Sequence, residues 1–478
     1  MTETIARAEA ALSKAARDAD LRSPMAATLC LASARLGGEL APERLVELWS
    51  QRSPGSPRGE ARYRWELTHT RTEPQAYCPP RAAWTPWRPR DAALLARDAD
   101  KLELRLTLPI AIADGLTVLA RHEAGPLLRE AEAVARADFA SFIHASHAFS
   151  DCFALRALVE RPVALERMRP FAIATAAAYT PGAEQEGCVL ATRFPFHGRP
   201  LTSTTAMLAG ALLELGQDIT LAARLVRFVA ESQRDGGAFG DDDEPSDVLT
   251  TFLAAELLGR LDPAFDCDAP ARFFASAQRP DGFFRALGPE TPWLTDAIAR
   301  WLRGATQPFH ARFRWPSIPD ANRDRKTGLP PYAWFLDLTE LFGALPGLAS
   351  APCTLAFLDL VGFRAFNNTH GQERGDAVLE ELAAALMEVE GAAAVRDGGD
   401  ELLLIGAPGA DLGAAIDAFE AAWPARFAAR FGTGAPVLPR ILIGDVGRGD
   451  RLRHAREVLG RAVADLKNSG ELRLRISL

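Results

Sequence analysis

The sequence lacks three signals at once. Its six cysteines (Cys30, Cys78, Cys152, Cys188, Cys267 and Cys353) include no Cys-x-x-Cys pair, which argues against a zinc knuckle or a disulfide framework and favours a reducing compartment. No uninterrupted apolar run reaches the length of a membrane span. The opening "MTETIARAEAALSKAARDAD" has no apolar core of the kind a signal peptide needs. The expected location is therefore cytoplasmic, with no membrane partner. Positive charge is also in deficit, at a net -8 and a pI near 5.7, so charge balance gives no support to nucleic-acid binding.

What is present reads as globular, with 48% hydrophobic and 24% charged residues. At 478 residues the chain exceeds one ordinary core, and length suggests about two to four domains. Residues 1–155 form a mostly helical region to which the sequence assigns no fold. Helical patterns such as "APERLVELW" are broken by the Pro/Arg/Trp passage "PQAYCPPRAAWTPWRPRDAA". Leu102, Leu104, Leu106 and Leu108 then alternate with strand periodicity. His144 and His147 share a helix face but have no third ligand near them in sequence, so a packed or surface pair is expected rather than a metal site.

Residues 156–305 turn helical and repeat. "ESQRDGGAFGDDDEPSDVLTTFLAAELLGRL" is echoed by "ASAQRPDGFFRALGPETPWLTDAIARWL". In each, a helix ends at Gln233 or Gln278, an Asp-Gly turn with an aromatic follows, and a new helix opens near Asp247 or Asp296. A period in the forties with helix–turn–helix content marks a repeat architecture. The pattern resembles the α/α-toroid repeats of squalene and terpene cyclases and of the β subunits of protein prenyltransferases. The chemistry of those families is not expected here. Leu249 stands where a cyclase would carry its proton-donating Asp, and Cys267 has no His near it. The acidic run Asp241-Asp242-Asp243-Glu244 reads as a solvated loop. This part is expected to bind or scaffold. Residues 306–322, rich in Pro and Arg, read as a linker.

Residues 323–478 carry the chemistry. Thr354–Asp359 reads as a buried strand ending in a carboxylate, and a helix follows over Asp376–Val389. "AAVRDGGDELLLIG" reads as a hairpin, then come a helix in "AAIDAFEAAWPARFAARF", a strand in "RILIGDV" and a closing helix to Lys467. This alternation predicts an α+β sandwich. Taken alone, "DGGD" is either good turn chemistry or a device that aims carboxylates at a metal. If the strands bearing Asp359 and Asp400 are neighbours, two carboxylates meet at one sheet edge and repel unless a cation lies between them. Mg²⁺ prefers a few carboxylates plus phosphate oxygens, so the pairing points to a nucleotide-phosphate site.

Four segments, in order, resemble the GGDEF domain of diguanylate cyclases: Asp324-Arg325-Lys326-Thr327-Gly328-Leu329-Pro330, Leu358-Asp359-Leu360-Val361-Gly362-Phe363-Arg364, Asn367 to Asp376, and Arg396 to Leu402. The resemblance implies a nucleotidyl-cyclase-like α+β fold after a mainly helical, toroid-like region. It implies Mg²⁺ (or Mn²⁺) held by Asp359, the Leu360 carbonyl, Asp400 and Glu401, with Asp359, Asp400 and Glu401 catalytic. Asn367 and Asp376 would read guanine, the backbone from Gly362 through Phe363 to Arg364 would cradle phosphates, and Lys467 would bind them. A homodimer would condense two GTP into cyclic di-GMP under control of a helical domain with an unknown ligand or protein partner.

Departures from the pattern open an alternative, a catalytically degenerate domain that binds GTP as a regulatory or interaction module. Val361 replaces a second carboxylate, Asp397 an aromatic, Leu402 a Phe, and Glu471 an Arg, with Arg473 or Arg475 nearby to compensate. Arg364 keeps the charge of the usual Lys. Val389 and Ala392 occupy the product-inhibition positions, so feedback through that site is not expected.

Overall fold

The computed structural model describes residues 1–18, single positions between 110 and 132, and residues 148–191, 198–242, 245–285, 292–410, 412–432, 436–469 and 471–478. The leucine alternation at 102–108 and the pair at 144 and 147 lie outside the described residues. No helix among the described residues is long and apolar enough to cross a membrane. Two compact units emerge: Met1–Leu212 with Phe228–Leu257 and Asp266–Thr306, and Leu213–Arg227 with Leu258–Phe265 and Gln307–Leu478.

Among the described residues the first unit is helical, and one turn is built in it three times. Gly187, Gly237 and Gly282 each take a left-handed φ, of 73°, 83° and 88°, a conformation that suits glycine because a Cβ is strained there. Two residues on, the backbone N–H of Val189, Phe239 and Phe284 donates to the hydroxyl of Thr205, Thr251 and Thr295, at 2.9, 3.0 and 3.0 Å. All three threonines are fully buried. In the second and third turns the Gln233 and Gln278 amides donate to the glycine carbonyl. The glutamines thus tie the end of one helix to the turn, and the threonines tie the turn to the helix that follows.

Asp241 departs from the expectation of a solvated loop. Its carboxylate accepts from the Ser203 N–H and hydroxyl, both at 2.8 Å, and so caps the helix Thr202–Leu215 from a distant segment. Asp247 caps its own helix, Val248–Leu261, by accepting from the Thr250 N–H at 2.8 Å.

The second unit is built on a five-stranded sheet in the order β2-β3-β1-β4-β5. The strands are β1 Cys353–Leu360, β2 Ala392–Gly398, β3 Glu401–Gly406, β4 Pro439–Val446 and β5 Arg473–Ser477. All pairs are antiparallel except β4–β5, which is parallel. Both faces are covered, which explains why β1 is buried along its whole length. On one face Ala356, Leu358, Leu404, Ile441 and Ile443 join Val378, Leu382, Phe419 and Trp423 from the helices Gln372–Met387 and Leu412–Phe431. Trp423 also donates its indole N–H to the Val437 carbonyl at 2.8 Å. The opposite face, bearing Phe357, packs on Leu452–Ser469, with the Phe357 ring beside Gly460. The helix Tyr332–Ala344 contacts β2 and Leu452–Ser469. β5 was not anticipated, and residues 306–322 hold a short helix, Phe309–Arg312, and a buried Phe313.

Two expectations follow. Thr251→Val removes a buried hydroxyl from the Phe239 N–H and is expected to cost about 1–3 kcal/mol in urea unfolding, with Thr251→Ser losing less. Burial raises the Asp241 pKa from 3.8 to about 6. Folded protein therefore holds this proton more tightly than unfolded chain. Stability from the group is present below pH ~4 and lost as pH rises through about 6, on the order of 3 kcal/mol. Asp241→Asn should flatten that part of the stability–pH curve, measured by urea midpoints between these limits.

Candidate functional site

Strand register assembles the site. Asp359 lies opposite Glu401 across the β1–β3 pair and opposite Arg440 across the β1–β4 pair. Directly opposed residues point to one face with Cβ atoms about 4.5–5.5 Å apart, so Glu401, Asp359 and Arg440 form a row over three strands. Alternation puts this row on the face of Phe357, beneath Leu452–Ser469, which contributes Lys467. Asp400 stands beside the row in the tight turn between β2 and β3, where Gly399 takes a φ of 48°.

Asp359 is buried and both of its oxygens are engaged. Oδ2 accepts from Arg440 Nη1 at 2.9 Å, and Oδ1 lies 2.9 Å from Lys467 Nζ. The Arg440 and Asp359 side chains are only 6% and 5% exposed, whereas Lys467 is 47% exposed. Arg440 Nε also donates to the Glu471 carbonyl at 3.2 Å, which fixes the guanidinium from the side of β5. Desolvation, then the nearby Asp359 charge, raises the Asp400 pKa. Desolvation raises that of Glu401 too, followed by the charges of Asp397, Asp359 and Asp400. Register thus sets Asp359 and Glu401 side by side with Asp400 next in the chain, in a crowded, partly dry place.

Asp397 has another partner. It accepts from Arg456 Nε at 3.0 Å and from the second arm of the same guanidinium. Arg456 lies over the Tyr332 and Phe357 rings, 5.2 and 5.8 Å from their centroids. This bidentate pair holds the hairpin to the Leu452–Ser469 helix. The opening motif closes on the same hairpin. Asp324 accepts from the Thr327 N–H and hydroxyl, and the Pro330 carbonyl accepts from the Arg396 N–H at 2.7 Å.

The other candidates fall beyond the end of β1. Gly362, with a φ of 70°, starts the helix Phe363–His370. Phe363 is half-buried against the core, while Arg364 is exposed. Leu360 is buried at the strand end. Asn367 Oδ1 is buried and unpaired, and it lies so close over Gly375 that a Cβ there would come within 1.7 Å of it. Asp376, the next residue, pairs at 2.8 Å with Lys326 of the opening motif. The structure thus brings Asp359, Asp400, Glu401 and Lys467 together, and sets Asn367 beside the segment of Asp376. Arg440, Arg456 and Lys326 were missed. Each is the cationic partner of an acid far away in sequence.

The donor set does not fit a resident divalent ion. A metal on Asp359 would have to displace a guanidinium or an ammonium already bound to it. Among the described residues, no three His, Cys, Asp or Glu side chains are grouped so as to hold a metal.

The family model "Diguanylate cyclase, GGDEF domain" matches residues 321–420. Residues 321–420 are a GGDEF domain. Solved structures similar to this chain include the diguanylate cyclase SiaD from Pseudomonas aeruginosa in complex with its activator SiaC. That match has 26% identity, covers 33% of this chain and 62% of SiaD, and has a TM-score of 0.30. The GGDEF domain of DgcB from Caulobacter crescentus, in complex with c-di-GMP, is 23% identical, with 34% and 98% of the chains covered and a TM-score of 0.28. The FimX GGDEF domain from Pseudomonas aeruginosa is 23% identical, with 32% and 99% covered and a TM-score of 0.29. The chain spans less than two thirds of the SiaD structure it matches. No curated protein matches it.

Within this GGDEF domain Gly375→Ala is expected to push the Asn367 amide aside, and because Ala also favours the helix Gln372–Met387 the net stability change should stay within about 1 kcal/mol, read from urea unfolding.

Proposed function

We propose that the GGDEF domain binds GTP as a regulatory module and does not turn it over in the state described. One observation carries this reading: both oxygens of Asp359 are held by cations of the chain, Arg440 and Lys467. Diguanylate cyclase chemistry would need that carboxylate for a metal that positions a 3′-hydroxyl against an α-phosphate. Val361 removes a second carboxylate from the same strand end, and Glu471 places an acid where a phosphate would be met by Arg.

Binding itself is supported by other residues. Asp376 suits the N1–H and 2-amino donors of guanine, and Asn367 offers both a donor and an acceptor. The Asn367 Oδ1, buried without a protein partner, is suited to a ligand donor. On this reading a guanine replaces Lys326 at Asp376, and the half-exposed Lys467 faces the phosphates. The first unit, helical and rich in buried polar ties, would sense a ligand or partner and pass its state to the GGDEF domain, which would act as a homodimer.

A second reading, an active diguanylate cyclase, is favoured by the retention of Asp400 and Glu401 beside Asp359. Purified full-length protein separates the two. A fluorescent GTP analogue should bind, with affinity reduced about tenfold or more by Asn367→Ala. Cyclic di-GMP formed from GTP and Mg²⁺ should not exceed that of Asp400→Ala. Product that depends on Asp400 would overturn the regulatory reading.

A further inference from the structure

We propose that Arg440 is a built-in replacement for the divalent cation, so that this site binds a nucleoside triphosphate without metal. The inference rests on the reading of the domain as a GTP-binding module. It goes beyond that reading by naming which charge neutralises the carboxylates and in what ionic form the ligand arrives.

The argument starts from repulsion. Glu401 lies directly opposite Asp359 across the β1–β3 pair and Asp400 immediately precedes it, so these carboxylates crowd one place and a cation must compensate them. The register supplies one within the sheet, because Arg440 is the residue of β4 directly opposite Asp359. Its guanidinium is planar, always charged and more weakly hydrated than an ammonium or a small divalent ion, so it tolerates this dry position. Two contacts fix it, to Asp359 Oδ2 and to the Glu471 carbonyl. A metal at Asp359 Oδ2 would have to expel this buried guanidinium, and one at Oδ1 would sit against its positive charge. Lys467 is different. Its side chain is half exposed and flexible, and it can swing from Asp359 Oδ1 to a phosphate while Arg440 stays in place. The triphosphate would then be met by an ammonium and the backbone N–H groups at the start of Phe363–His370.

Two measurements on the full chain test this. In the first, Mn²⁺ is titrated without nucleotide and the free ion is followed by electron paramagnetic resonance. The wild type and Arg440→Lys should leave the free signal unchanged, whereas Arg440→Thr, which frees Asp359 beside Asp400 and Glu401, should attenuate it. Attenuation by the wild type that Asp359→Asn abolishes would overturn the proposal, as would an Arg440→Thr protein that folds and stays silent. In the second, a fluorescent GTP analogue is bound in Mg²⁺ and in excess EDTA, and the two dissociation constants should agree within about threefold. A loss of about tenfold or more in EDTA would also overturn it. Failure to bind in both media would defeat the GTP-binding reading, and the Mn²⁺ titration would still decide the role of Arg440.

Discussion

The buried pair between Asp359 and Arg440 governs how this site must be understood. Two charges removed from water cost several kcal/mol each in desolvation, and their attraction offsets this only with good geometry and further hydrogen bonds. Here the geometry comes from the sheet itself. Antiparallel pairing sets the two residues side by side, and the Glu471 carbonyl takes a second donor of the guanidinium. Removing either partner would leave a poorly compensated charge on the sheet face that also carries Phe357 and Leu442, both fully buried. The pair is thus both a structural commitment and a restriction on chemistry, because a carboxylate bound in this way is not available to a metal.

The same logic runs through the neighbouring acids. Asp397 is tied to Arg456, Asp376 to Lys326, and Asp359 also to Lys467. The hairpin, the opening loop and the helix Leu452–Ser469 are joined by these ties around one sheet edge. Only some of them are dry. The Lys326–Asp376 pair is exposed, and exposed pairs contribute little to stability, so a ligand can displace it at low cost. The Arg440–Asp359 pair is not of that kind.

Much of this was legible in the sequence, for reasons that can be traced to residues. The apolar run ending in Asp359, the Gly-Gly turn before Asp400 and the amphipathic helices each carry a local period that a strand, turn or helix imposes. Closeness of the carboxylates follows from the sequence only on the condition that β1 and β3 are neighbours, which the register supplies. Arg440 did not follow, because register across 81 positions is a tertiary property. The available signal was a lone Arg in the strand "PRILIGDV" facing a lone Asp in "CTLAFLDL". β5 was hidden because Arg473 and Arg475 make an edge strand read as a charged tail. In the helical unit Gln233 and Gln278 announced a repeated turn, whereas Thr205, Thr251 and Thr295, which complete it, are ordinary helix residues until the turn is folded against them.

The central claim is that Asp359 belongs to Arg440, and a double-mutant cycle on unfolding free energy measures that directly. Asp359→Asn and Arg440→Met should each be strongly destabilising, and the double variant should cost far less than their sum, a coupling of about 2 kcal/mol or more. Costs that add to within about 0.5 kcal/mol would show that the two residues do not depend on each other, and would contradict the account.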